Sequence, residues 1–316
     1  MRVTVLGCGR WASFLGWYLH KAGHEAMIWG RPGSASLREL RETRQNRYLT
    51  LAPEILLSDD LPRALGFGEL IFISIGAQNL RSFLKTFPAK PPVPLVLCMK
   101  GLEADTGLRL TEVTREVIGP HPAAVWVGPG HPEDFVRNIP NCMLIDSEDQ
   151  GLTRHIADSL GSGLIRFYYG GDIIGTEIGA ASKNVIGLAA GMLDGLGLSC
   201  LKGALMVRGA REISRLAKIM GGQEITIYGL CHLGDYEATL FSPYSHNRRY
   251  GECFVRGEAY GQLAEGVATV RSLCRISQER GADLPICQAV ENILSGRIKG
   301  GEALGSLFLR SIKSEF

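Results

Sequence analysis

Met1-Arg2-Val3-Thr4-Val5-Leu6-Gly7-Cys8-Gly9-Arg10-Trp11-Ala12 is the stretch on which the fold turns. Its first six residues read as a β-branched strand, and the residues from Arg10 to about Ala22 keep a helical pattern. Between them stands the Gly-x-Gly-x-x-Ala form of the dinucleotide fingerprint. Gly7 permits the tight turn, Gly9 lets a pyrophosphate approach the backbone, and Ala12 keeps helix and strand close. The helix N-terminus then faces the phosphate charge. A glycine-rich turn without a ligand would show the same letters, but the setting between strand and helix favours a nucleotide site.

Downstream the chain repeats this alternation. Residues 24–29 read as a second strand ending in Gly30-Arg31-Pro32-Gly33-Ser34. An NAD-selective site usually places an acid there for the ribose hydroxyls, whereas Arg31 suits a 2′-phosphate, so NADP is favoured, or use of both NADP and NAD. Residues 69–75, 94–99 and 124–127 are short apolar runs of the kind buried on both faces of a parallel sheet. Helical patterns separate them at about 36–46, 78–87 and 107–118, and residues 142–145 and 164–169 add two more strands. The expectation is an α/β, Rossmann-like doubly wound parallel sheet over residues 1–172. Two loops, Lys100-Gly101-Leu102-Glu103 and Gly128-Pro129-Gly130-His131-Pro132-Glu133-Asp134, fall at strand carboxyl ends, where such sheets bind ligands.

From Asp172 onward the texture is helical, which predicts an all-α C-terminal domain over residues 173–316. Its helices are expected at 175–195, 204–220, 225–232, 256–279, 284–296 and 302–313. The first is built of small and apolar residues, with Glu177 and Lys183 as its only charges between Thr176 and Asp194. A lysine among such neighbours is costly to bury and needs a partner, or its pKa falls. It reads either as a snorkelling side chain on a packed helix or as a catalytic amine on the floor of a cleft. One polar segment interrupts the helices, from His232 through Asp235 to Ser245-His246-Asn247-Arg248-Arg249-Tyr250-Gly251. As a loop it is able to hold a phosphate or carboxylate, or simply to cap the domain in solvent.

Composition narrows the function further. The 316 residues suffice for two domains, and a net charge of +2 gives no general drive toward nucleic acid or membrane. No window of about 18 apolar residues exists, so no membrane span is expected. The apolar run between Arg2 and Arg10 is better explained as a strand than as a signal peptide, which points to the cytoplasm. Eight cysteines without a Cys-x-x-Cys pair suit free thiols in a reducing compartment. His20 and His24 are four apart with no acidic ligand, so no metal site is expected.

Taken in order, Gly7-Cys-Gly9-Arg-Trp11-Ala12, Lys100-Gly-Leu-Glu103, Gly128-Pro129, Gly179-Ala-Ala-Ser-Lys183-Asn184, Asp194-Gly-Leu-Gly, Arg208-Gly209, Leu233-Gly-Asp235, Asn247-Arg-Arg-Tyr-Gly251 and Ala264-Glu265-Gly266 resemble the bacterial-type NAD(P)-dependent sn-glycerol-3-phosphate dehydrogenases. The resemblance covers nearly the whole chain. It implies interconversion of dihydroxyacetone phosphate and glycerol 3-phosphate between the two domains, for phospholipid synthesis, in a protein that is commonly a homodimer. Lys183 is then the catalytic lysine, with Lys100 and Asp235 beside the substrate. Substrate contacts are expected at Gly128, Gly130, Ser245, His246, Asn247 and Arg248. Cofactor contacts are expected at Gly7, Gly9, Arg10, Trp11, Ala12, Arg31, Lys100, Pro132, Leu263 and Glu265. Chemistry agrees: hydride addition to a ketone builds negative charge on oxygen, which a placed ammonium stabilises and protonates.

Four departures touch the substrate region. Gly130 stands where the family usually has Ser or Thr, and His246 where it has Arg. Ile75-Gly76 replaces the usual Pro-Ser, and an asparagine is absent near Cys200-Leu201. They leave two other readings open: a related dehydrogenase of another small ketone, and a nucleotide-binding regulator that has lost catalysis.

Overall fold

The computed structural model describes residues 1–299 and 301. Among them, eight strands make one sheet in the order β3-β2-β1-β4-β5-β6-β7-β8. These are β1 (Arg2–Leu6), β2 (Glu25–Trp29), β3 (Leu56–Ser58), β4 (Leu70–Ile73), β5 (Leu95–Leu97), β6 (Ala123–Val127), β7 (Asn141–Ser147) and β8 (Ile165–Tyr169). Helices α1 (Arg10–Lys21), α2 (Ala35–Thr43), α3 (Leu61–Phe67), α4 (Leu80–Leu84), α5 (Leu110–Ile118), α6 (Pro132–Val136) and α7 (Gln150–Leu160) connect them. Phe14, Tyr18, Phe72 and Trp126 fill one face of the sheet, and Leu6, Ile71, Leu95 and Val127 the other. Continuous apolar strands are what such double coverage demands.

The Rossmann-like sheet appears with two differences from the sequence reading. The three-residue β3 is too short to show alternation and carried no signal. β7 runs antiparallel to β6, pairing Ala124 with Ser147 and Val127 with Leu144. The intervening helix is α6, which rises only about 7 Å. A crossover back along a five-residue strand would have to span about 16 Å, so the chain reverses instead. α3 and α7 were unread, and the expected helix at 78–87 is a 3₁₀ turn at Ala77–Asn79 followed by α4.

The second half consists of α8 (Ile173–Gly195), α9 (Lys202–Ile219), α10 (His246–Arg256), α11 (Glu265–Arg280) and α12 (Pro285–Leu294). Residues 225–232 form a 3₁₀ turn over Glu224–Tyr228 rather than a helix, and the polar segment expected as a loop contains most of α10. The expected helix at 302–313 lies outside the described residues. Asp172 caps α8, accepting from Gly175 N at 3.0 Å while its other oxygen takes Gln223 N at 2.8 Å. Every residue from Gly175 to Leu193 is buried. Glycine makes this possible at the α8–α10 crossing. A Cβ on Gly191 would lie 1.8 Å from the Arg248 carbonyl oxygen, and one on Gly251 2.2 Å from that of Leu188. Glu177 finds its partner on the sheet side, accepting from buried Arg109 Nη1 at 2.7 Å and Thr111 N at 3.0 Å. These bonds fasten α8 to the start of α5. No described helix is long and apolar enough to cross a membrane.

Candidate active site

Lys183 lies halfway along α8, buried where that helix passes the carboxyl ends of the strands. Its Nζ donates to Thr239 Oγ1 at 2.7 Å and pairs with Asp235 Oδ2 at 2.7 Å. The same Asp235 oxygen accepts from Lys100 Nζ at 2.7 Å, and Lys100 also donates to the Gly128 carbonyl at 2.7 Å. Two amines thus share one buried carboxylate, while Thr239 holds Lys183 and the loop after β6 holds Lys100. Burial pushes the Lys183 pKa down to about 7, Asp235 opposes this, and the positive Lys100 adds to it. Lys183, Lys100 and Asp235, named from three separate stretches of sequence, are therefore brought together.

The β1–α1 turn has the form that a dinucleotide requires. Gly7 has φ +130°, and a Cβ there would lie 2.1 Å from the Ser74 carbonyl oxygen. Gly9 is exposed, with open space where its side chain would be. The first turn of α1 has neither a side-chain cap nor an acid, so its free N–H groups suit a pyrophosphate. Ala12 is buried and Trp11 packs on Phe14 at 4.8 Å. Arg31 is exposed just past β2, and Pro132 is the buried first residue of α6. Glu265 reaches across from α11 to accept from Ala77 N at 3.0 Å, and burial raises its pKa. Leu263, 67% exposed, approaches Gly76.

The residues expected around a phosphate divide. Ser245 caps α10 by accepting from Arg248 N at 3.3 Å. Asn247 is engaged at both ends, donating to Asn184 Oδ1 at 3.0 Å and accepting from Gly266 N at 2.9 Å. Asn184 in turn donates to the Lys100 carbonyl at 3.1 Å, so this amide chain ties α8, α10 and α11 to the β5 loop. Arg248 pairs with Asp194 at 2.9 Å and Glu252 at 2.9 Å. Asp194 is eleven residues beyond Lys183, roughly 16 Å along α8, so that guanidinium serves the helix packing. His246 Nδ1 is 2.6 Å from the Tyr260 hydroxyl, and burial with Arg10 and Arg249 lowers its pKa. Gly130 has φ +133°, and its Cβ would fall 2.4 Å from the Phe135 ring. A side chain at that position would strain the backbone and crowd the Phe135 ring.

Sequence reasoning passed over Thr239 and His131. Thr239 stands four residues after Asp235, a spacing that signals one face of a helical turn. It occupies the π turn Glu237–Phe241. His131 Nε2 contacts the Ala238 carbonyl at 2.8 Å, while Nδ1 lies 3.3 Å from Arg10 Nη2. Burial and Arg10 lower its pKa to about 4, so the ring is neutral, with the proton on Nε2 and Nδ1 accepting from Arg10.

Comparisons with known proteins converge on one family. Residues 2–153 match the model for the N-terminus of NAD-dependent glycerol-3-phosphate dehydrogenase, and residues 172–304 match that for its C-terminus. Glycerol-3-phosphate dehydrogenase [NAD(P)+] of Chelativorans is 35% identical, covering 99% of this chain and 98% of its own. That of Deinococcus radiodurans is 37% identical, covering 99% and 96%. The crystal structure of glycerol-3-phosphate dehydrogenase from Coxiella burnetii superposes with a TM-score of 0.89 at 26% identity, covering 98% of this chain and 99% of that one. With two matched models spanning both halves and full-length relatives above 30% identity, the chain belongs to the NAD(P)-dependent glycerol-3-phosphate dehydrogenase family.

Proposed function

We propose that this oxidoreductase interconverts dihydroxyacetone phosphate and sn-glycerol 3-phosphate with NAD(P)H, its product feeding glycerophospholipid synthesis. One observation carries the reading: Lys183 and Lys100 converge on Asp235 at the junction of sheet and helices. The Gly7–Gly9 turn and the N-terminus of α1 would hold the nicotinamide cofactor, which when bound would supply the hydride. The chain's own residues handle charge and protons. As negative charge grows on the carbonyl oxygen, the Lys183 ammonium stabilises it and delivers a proton. Asp235 keeps that ammonium charged and aimed, and Thr239 accepts a second of its N–H groups. Lys100, held by the Gly128 carbonyl, adds a second positive charge at the same point. In the reverse direction neutral Lys183 takes the alcohol proton, and a pKa near 7 suits both directions.

This reading divides the chain into domains at 172/173, just before α8. The same reading assigns a homodimer in the cytoplasm, to be checked by light scattering and cell fractionation, and a preference for NADP through Arg31. The test of the reaction is oxidation of NADPH and NADH with dihydroxyacetone phosphate, followed by nicotinamide absorbance. Turnover with neither cofactor would sink the reading, as would a Lys183→Ala variant that keeps its rate.

A further inference from the structure

Of the charged side chains expected to grip the substrate's phosphate, Arg249 is exposed over the Tyr260 ring at 5.7 Å, and neither Arg248 nor His246 brings a full positive charge. Arg248 faces Asp194 and Glu252, and His246 is held toward neutrality. Arg10 does bring one. Although it opens α1, its side chain does not curl over the Gly7–Gly9 turn. It crosses to the end of the β6–α6 loop and the first turn of α6, where Nη2 meets His131 Nδ1 at 3.3 Å and Glu133 Oε2 at 2.5 Å. Its Nη1 makes a long contact with the Tyr244 carbonyl at 3.4 Å, just before α10. These are the elements that carry Gly128, Gly130, Ser245 and His246, while Gly9 is left clear for a dinucleotide.

We propose that Arg10 is a specificity residue for the substrate, exchanging Glu133 for the substrate's phosphate in the cleft between the β6–α6 loop and the start of α10. The inference rests on the glycerol phosphate reading above. Three observations carry it. First, Glu133 uses one donor of the guanidinium, whereas the buried Nε has no partner among the described residues, so a bidentate acceptor would satisfy a donor that is costly to leave unpaired. Second, the surroundings favour an anion: Arg10, Arg47 and Arg249 all act on His246, against Glu133. Arg10 and Arg47 lie over the Tyr48 ring at 5.3 and 5.6 Å. Third, His131 links this guanidinium to the reaction centre. Its other nitrogen is bonded to the Ala238 carbonyl, one residue before the Thr239 that holds Lys183. A substrate with its carbonyl at Lys183 and its phosphate at Arg10 would lie along His131.

The test is steady-state kinetics of Arg10→Met and Glu133→Gln beside the wild type, with dihydroxyacetone phosphate, unphosphorylated dihydroxyacetone and NADPH. For Arg10→Met, loss of a charge-assisted contact should lower kcat/KM for dihydroxyacetone phosphate by about 10- to 100-fold, mostly through KM. Inhibition by inorganic phosphate should weaken in parallel, while kcat/KM for dihydroxyacetone and the KM for NADPH change less than about 3-fold. Glu133→Gln should lower KM for the phosphorylated substrate. A rise in the NADPH KM with the phosphorylated substrate unaffected would make Arg10 a pyrophosphate ligand and overturn the proposal. A drop in Tm with both KM values unchanged would do so too. If Arg10→Met fails to fold, a Glu133→Gln variant whose KM is unchanged or raised overturns it. A wild type inactive on dihydroxyacetone phosphate defeats the underlying reading instead.

Discussion

Replacing Asp235 by Asn keeps the shape of the side chain and removes the charge that both amines share. Burial and Lys100 already push the Lys183 pKa down, and Asp235 is the largest influence acting upward. The lost contact is a 2.7 Å charge-assisted pair, worth about 1.5–3 kcal/mol. At 1.36 kcal/mol per unit, this moves the Lys183 pKa from about 7 to about 5–6. At about pH 8 a group titrating at 7 is roughly one-tenth protonated, and one titrating at 5–6 is about 0.1–1% protonated. Ketone reduction needs the ammonium, so the variant should be about 10- to 100-fold slower there. The assay is kcat/KM for dihydroxyacetone phosphate between about pH 5 and 9. The wild-type rate should decline above about pH 7, and the variant's decline should begin one to two units lower, with much of the loss recovered near pH 5.5. A variant slowed by the same factor at every pH would show that Asp235 only holds the fold together, and the acid role of Lys183 would lose its support.

Arg31→Asp should shift preference from NADPH toward NADH, read as the ratio of kcat/KM values; an unchanged ratio rejects Arg31 as a 2′-phosphate ligand. Gly130→Ser should cost about 1–3 kcal/mol in urea unfolding, through its φ of +133° and the 2.4 Å clash with Phe135. A stable, faster variant would contradict that crowding. Arg109→Met strands buried Glu177 without its ion pair and should lower stability by about 3–5 kcal/mol, visible as a large fall in Tm. Glu212, buried in α9 and accepting from Ile286 N and Cys287 N, has its pKa raised to about 7 by burial. A carboxyl raised this way stabilises the fold fully below about pH 4.5, and that contribution is lost as pH climbs to about 7. Stability of wild type relative to Glu212→Gln should therefore fall between pH 5 and 8, and parallel curves would refute this.

What the sequence revealed and what it hid have a common physical basis. The β1–α1 turn was legible because its demands are local: a left-handed Gly7, an open Gly9 and a small Ala12 follow from backbone geometry within a dozen residues. α8 was legible because small residues recur through it, and the close crossing at Gly191 and Gly251 is their physical use. α10 was misread as a loop because Gly251 is its one buried residue. Its first turn, His246-Asn247-Arg248-Arg249, is wholly polar, and the residues that pack on the core, Tyr250, Gly251 and Val255, come only in its later turns, so the apolar stripe begins too late to mark the helix. That error hid the Arg248–Glu252 pair at i,i+4, which would have assigned this arginine to the helix instead of to phosphate. The β6–β7 reversal was equally silent, since an apolar strand reads the same in either direction.

The side-chain chemistry depends on pairs far apart in the chain. Lys100 and Asp235 meet across 135 residues, and Arg10 and Glu133 across 123. A motif located their backbones without saying where the charges would go. Arg10 shows the consequence. Its place in the fingerprint assigned it to the cofactor, yet its guanidinium spans the cleft to the elements expected around substrate. The loss of a charge at one position and the arrival of another from a different element are invisible to a position-by-position match. They become a single question once Arg10 is seen to reach the Tyr244 carbonyl, two residues before His246, and to lower the pKa of that ring.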